Sequence, residues 1–137
     1  MNLNGTIIAE VLDAYPRVQA VYLFGSTVDG EQRGDSDIDV AVLLPPEDAR
    51  RVGSLLMGAL HEQLESLLGR SVDLINLREV STVFQNEIIA SGQRIHCAHP
   101  DAADEFEMLV MSMYQKLNAE RAGILSEGLG SGRFYRV

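Results

Sequence analysis

The 137-residue sequence predicts a small α/β or α+β domain. Three observations predict it. Short runs rich in Val, Ile, Tyr and Phe alternate with stretches whose apolar residues recur at helical spacing. Glycine and proline punctuate the joins. No repeat, low-complexity block or interdomain linker divides the chain, so residues 1–127 are expected to form a single domain.

Leu3, Ile7, Ile8, Val11 and Leu12 lie on one helical stripe that Pro16 ends, which predicts a helix over 3–14. Val18–Phe24 reads as the first strand, closed by Gly25. Thr27–Gly34 suits a short irregular turn or a stub of helix. Asp37–Leu44 is the second strand, stopped by Pro45-Pro46. Pro46 followed by Glu47 and Asp48 is a helix-start signature, because proline suits the first turn and acids suit its positive dipole end. The apolar set from Val52 through Leu68 carries that helix to Gly69. Ser71–Leu77 is a third strand, expected in the interior of the sheet; Glu79–Ala90 is helical and Gln93–Cys97 is a short extended piece. A long helix over 101–126 follows, with Phe106, Leu109, Val110, Met113, Tyr114, Leu117 and Ile124 on one stripe. The Gly-rich end, 128–137, is expected to be a flexible tail.

Twenty acidic residues against eleven basic ones give a net charge of −9. That excludes a broad phosphate-backbone binder, which needs a positive face to displace counterions. Direct nucleic-acid binding is therefore not expected. No apolar run approaches the roughly 20 residues of a membrane span, and no export signal opens the chain. A lone cysteine, Cys97, fits a reducing cytoplasm. The acidity is local: Asp29, Glu31, Asp35, Asp37 and Asp39 crowd into eleven residues with Arg33 as the one base.

The chemistry is expected there. Side chains alternate along a strand, so Asp37 and Asp39 face one way while Ile38, Val40 and Val42 face the core. Two carboxylates at i and i+2 repel, and a divalent cation resolves that conflict; Mg²⁺ prefers such hard oxygens together with substrate phosphate. Gly25-Ser26 at the end of the first strand can supply the phosphate side, through backbone N–H groups and a hydroxyl. Asp73, alone among Val72, Leu74 and Leu77, is a third candidate. If its strand pairs beside 37–44, it either completes a metal site or takes a proton from an attacking hydroxyl. A calcium loop is excluded, because Val40 stands where that loop requires glycine.

The run from Tyr22 to Leu44, YLFGSTVDGEQRGDSDIDVAVLL, resembles the signature of minimal nucleotidyltransferases of the polymerase-beta superfamily, Gly-Ser-x10-Asp-x-Asp. It matches at Gly25, Ser26, Asp37 and Asp39; Asp73 matches the third carboxylate in its V-D-L context. Asp29 departs from the pattern, standing where many relatives carry Arg, with Arg33 the nearest base. The resemblance implies a mixed, twisted sheet flanked by helices, two Mg²⁺ held by Asp37 and Asp39 with Asp73 as third ligand and base, and ATP phosphates on Gly25-Ser26. Small stand-alone chains of this kind resemble antitoxins paired with an all-helical HEPN ribonuclease toxin. The implied function is transfer of AMP from ATP to a tyrosine of that toxin, within a hetero-oligomer. Two alternatives stay open: an antitoxin that binds and occludes the RNase without catalysis, and a small-molecule nucleotidyltransferase.

Other groups carry less. Met108, Met111 and Met113 suit either core packing, the commoner fate of such a stripe, or an adaptable contact surface. His96, Cys97 and His99 lack the second ligand pair of a zinc site, and His61 is expected to be solvated.

Overall fold

A computed structural model describes residues 2–25, 37–53 and 58–131, with backbone alone over 124–131. The element order is α1 (Leu3–Ala14), β1 (Ala20–Phe24), β2 (Ile38–Leu43), α2 (Pro46–Val52), α3 (Ala59–Leu68), β3 (Val72–Asn76), a 3₁₀ turn (Leu77–Glu79), α4 (Thr82–Ser91), β4 (Gln93–Cys97) and α5 (Pro100–Ser131). The strands form one sheet in the order β3-β2-β1-β4. β1 pairs antiparallel with β2 and β4, whereas β2 and β3 run parallel, so the sheet is mixed as expected. A parallel pair needs a crossover, and α2 with α3 supplies it.

The period of two along each strand sorts the core into two layers. Val21, Leu23, Ile38, Val40, Val42, Val72 and Leu74 pack against Ile7, Val11 and Leu64 of α1 and α3. Tyr22, Phe24, Ala41, Leu43 and Ile75 pack against Ile88 of α4 and Ala103, Phe106 and Val110 of α5. Both faces of the sheet are therefore covered, which explains why β1 and β2 read as nearly continuous apolar runs.

Four expectations are corrected. The helix predicted from Pro46 to Gly69 is two helices. Gly53 (φ +76°) and Gly58 (φ +113°) adopt left-handed backbone that an α-helix cannot contain, and the Asn76 amide donates to the carbonyls of Ala49 (2.9 Å) and Gly53 (2.7 Å) to finish α2. Among the described residues β3 is an edge strand, not an interior one. In α5 the buried side is Ala103, Phe106 and Val110, while Met108, Leu109, Met111 and Met113 are exposed; the methionines are not core. α5 also runs to Ser131, past the expected end at 126, and residues 132–137 lie outside the described residues.

A polar lock ties α5 to the sheet. The buried Tyr22 hydroxyl donates to Glu107 Oε2 at 2.6 Å, Arg94 of β4 donates to the same carboxylate and to Asp104 at 3.0 Å, and the guanidinium sits 5.9 Å from the Tyr22 ring centre. Burial, reinforced by the bond to Glu107, pushes the Tyr22 phenol upward from its ordinary pKa. The hydroxyl is a fixed donor here.

Candidate active site

The register of three strands builds the site. β2 lies between β1 and β3, and Asp39 is paired with Phe24 on one side and with Asp73 on the other. Residues opposite one another share a face, so Asp39 and Asp73 project together toward the α4–α5 side of the sheet. The Ile38 N–H donates to the Ser71 carbonyl (2.9 Å), which sets that parallel register at its first rung. Phe24, in edge contact with Phe84 of α4 at 5.7 Å, fills the apolar layer beside the carboxylates.

Asp39 is half-buried, whereas Asp37 and Asp73 are exposed. Burial pushes the Asp39 carboxyl from its ordinary 3.8 up to about 6; the charge and hydrogen bond of Asp73 and the charge of Asp37 push the same way. Each of these causes penalises the anion, so the arrangement holds negative charge at a cost that a bound cation would remove.

Gly25 follows Phe24 with φ +62°, in left-handed backbone. A Cβ placed on it would lie 2.3 Å from Asp39 Oδ2 and 3.3 Å from Asp39 Cγ. The glycine thus has two tasks: it makes the turn, and it leaves room for the Asp39 carboxylate. The sequence points to this residue for phosphate approach; its closeness to Asp39 is visible only in the structure.

Of the five site residues expected from sequence, the structure brings together Asp39, Asp73 and Gly25, with Asp37 adding charge from the residue before β2. Ser26 lies outside the described residues, as do Asp29, Arg33 and the expected turn over 27–34. Among the described residues no three His, Cys, Asp or Glu side chains are already gathered into an ion-binding group. The donor set is nevertheless one of hard carboxylate oxygens at the adjoining ends of β2 and β3, which fits Mg²⁺ completed by water and substrate phosphate.

Sequence reasoning missed one pair near the site. His61 is not solvated: its side chain is largely buried on α3, its Nε2–H donates to the Val72 carbonyl at 2.8 Å, and it lies 3.3 Å from Glu65, which accepts from the Val72 N–H at 2.9 Å. The i,i+4 spacing of His61 and Glu65 was the available signal.

The chain is similar to several known proteins. The family described as Polymerase beta, Nucleotidyltransferase matches residues 7–101, which contain the whole sheet. The protein adenylyltransferase MntA of Shewanella oneidensis is 38% identical over 127 residues, covering 91% of this chain and 87% of that protein. A chain in the crystal structure of a toxin–antitoxin with AMP-PNP matches with a TM-score of 0.71 and 34% identity, covering 92% of this chain and 98% of that one. A chain in the structure of tri-AMPylated Shewanella oneidensis HEPN toxin in complex with MNT antitoxin matches with a TM-score of 0.65 and 30% identity, covering 93% and 96%.

Proposed function

Because the chain belongs to the polymerase beta nucleotidyltransferase family, we propose that it is a protein adenylyltransferase acting as an antitoxin: it transfers AMP from ATP to a tyrosine of a HEPN-family RNase toxin and so silences it. The observation that carries this reading is the Asp39–Asp73 pair in register beside Gly25, with Asp37 adjacent. The relative named an adenylyltransferase and the complexes with an ATP analogue and with an AMPylated toxin support the choice of donor and acceptor.

In this reading Asp37 and Asp39 would hold two Mg²⁺, with Asp73 as a third ligand. Bound Mg²⁺ would supply positive charge to the triphosphate and to the leaving pyrophosphate. The phosphates are assigned to Gly25, whose backbone N–H would meet them, and, on the sequence motif alone, to Ser26. Asp73, exposed beside Asp39, takes the proton from the tyrosine hydroxyl. The phenolic oxygen then bonds to the α-phosphorus as the bond to pyrophosphate breaks.

Residues 1–127 are read as one catalytic domain, and the partner's own surface is assigned a share of acceptor recognition. The outer side of α5 offers the contact. Met108 and Leu109 line a shallow 380 Å³ depression rimmed by Asp101, Asp104 and Glu105, and Met111 and Met113 continue the exposed apolar area. An apolar strip with an acidic rim suits a basic, helical, RNA-handling partner. We place the activity in the cytoplasm, where ATP is supplied; among the described residues no helix is long and apolar enough to cross a membrane.

The test is mass spectrometry of the partner after incubation with this chain, ATP and Mg²⁺. An added AMP on a partner tyrosine, lost with Asp39→Ala, is the expected result; tight binding with no adduct would favour occlusion instead.

A further inference from the structure

We infer that His61 and Glu65 of α3 are positioning residues for Asp73. β3 is an edge strand. Its first rung engages β2 through the Ser71 carbonyl, so the N–H and C=O of Val72 point away from the sheet, toward α3. An edge residue so placed normally offers both groups to water. Here one helix face takes both: Glu65 accepts the Val72 N–H at 2.9 Å, and the His61 Nε2–H donates to the Val72 carbonyl at 2.8 Å. The two side chains stand one turn apart and 3.3 Å from each other, so each orients the other. Leu64, fully buried between them in sequence, anchors that face of α3 to the core.

The consequence falls on the next residue. Asp73 is exposed on this edge strand, which among the described residues has ladder bonding to β2 on one side alone. The α3 pair supplies the restraint a second neighbouring strand would give, and it acts one peptide away from the carboxylate. Partners that orient a metal-binding or proton-accepting carboxylate typically change activity about 10- to 100-fold when removed. The inference rests on the role proposed above for Asp73, and its test separates the two.

The experiment measures kcat and KM for AMP transfer per folded molecule, on the intact chain with its toxin partner, ATP and Mg²⁺. His61→Leu and Glu65→Leu should each lower kcat about tenfold with KM for ATP nearly unchanged. His61→Gln and Glu65→Gln keep a donor and an acceptor in reach of Val72 and should recover most of the rate. Leu43→Ala, a core truncation at the far end of β2 in the layer that faces away from α3, should lose stability but keep kcat per folded molecule. His61→Asn, polar but too short to reach, provides the same comparison if the leucine variants fold poorly. Asp73→Asn is the control for the underlying role: if it keeps the full rate, the role of Asp73 is wrong and the clamp has nothing to position. If Asp73→Asn abolishes transfer while His61→Leu and His61→Asn behave like Leu43→Ala, the positioning role is overturned and the role of Asp73 survives.

Discussion

Replacing Gly25 by alanine should separate catalysis from stability. Two penalties meet at this residue. The first is conformational: φ is +62°, and a left-handed backbone costs an L-residue about 1–2 kcal/mol. The second is steric and falls on Asp39, because the new Cβ would lie 2.3 Å from Oδ2 where ordinary contact begins near 3.4 Å. The carboxylate must therefore retreat by about 1 Å. That retreat is cheap for folding, since the clash is with the tip of a side chain that can rotate. It is expensive for chemistry, since a displacement of about 1 Å in a reacting constellation costs on the order of 100-fold in rate. Gly25→Ala should therefore lose about 1–2 kcal/mol of stability but about two orders of magnitude in turnover. Urea denaturation and single-turnover AMP transfer, scaled to the folded fraction, measure the two. A variant that loses rate only in proportion to its unfolded fraction would show that Asp39 is not where the chemistry happens.

Other outcomes follow from the same geometry. With Mg²⁺ removed, Asp39 retains its proton in the folded chain up to about pH 6, whereas the unfolded chain loses it near 3.8. The Asp39 contribution to stability should therefore fall as pH rises through that window; it is read as the difference in pH slope between the parent chain and Asp39→Asn in urea titrations, and a difference of opposite sign would contradict the electrostatics. Arg94→Met removes the cation shared by Glu107 and Asp104 and should cost about 1.5–3 kcal/mol, with transfer per folded molecule retained; a loss below about 0.5 kcal/mol would mean that the lock adds little beyond a surface pair. Leu109→Glu alters a side chain that is 58% exposed, so melting should hardly change while toxin affinity, read by calorimetry, falls about tenfold; unchanged affinity would remove α5 from the interface.

How much of this was legible in the sequence depends on the range of the interaction. β1 and β2 announced themselves through β-branched and aromatic runs ended by Gly25 and Pro45, and alternation placed Asp39 on the face opposite Ile38 and Val40, which proves to carry a second buried layer with Ala41 and Leu43. The Asp39–Asp73 contact was conditional on strand order, which a single chain does not encode locally; the crossover through α2 and α3 supplied it. The break between those helices was hidden because apolar periodicity runs on through Gly53 and Gly58, and only their positive φ reveals it. The Tyr22–Glu107 bond spans 85 residues, so no local pattern could signal it. His61 was misjudged for a related reason: helical position told which way it faced, but not that an edge strand with two unpaired backbone groups lay there. The exposed methionines show the converse, since a stripe of helical spacing does not say whether its cover is this chain or another.

The most direct test of the account separates a lasting covalent mark from occlusion. The toxin is incubated with this chain, ATP and Mg²⁺, then purified away from it under denaturing conditions, refolded and assayed both by intact mass and for RNase activity. The account predicts a toxin that carries AMP on tyrosine and stays inactive on its own, while a parallel sample treated with Asp39→Asn regains full activity. An unmodified toxin that recovers its RNase activity once this chain is removed would contradict it.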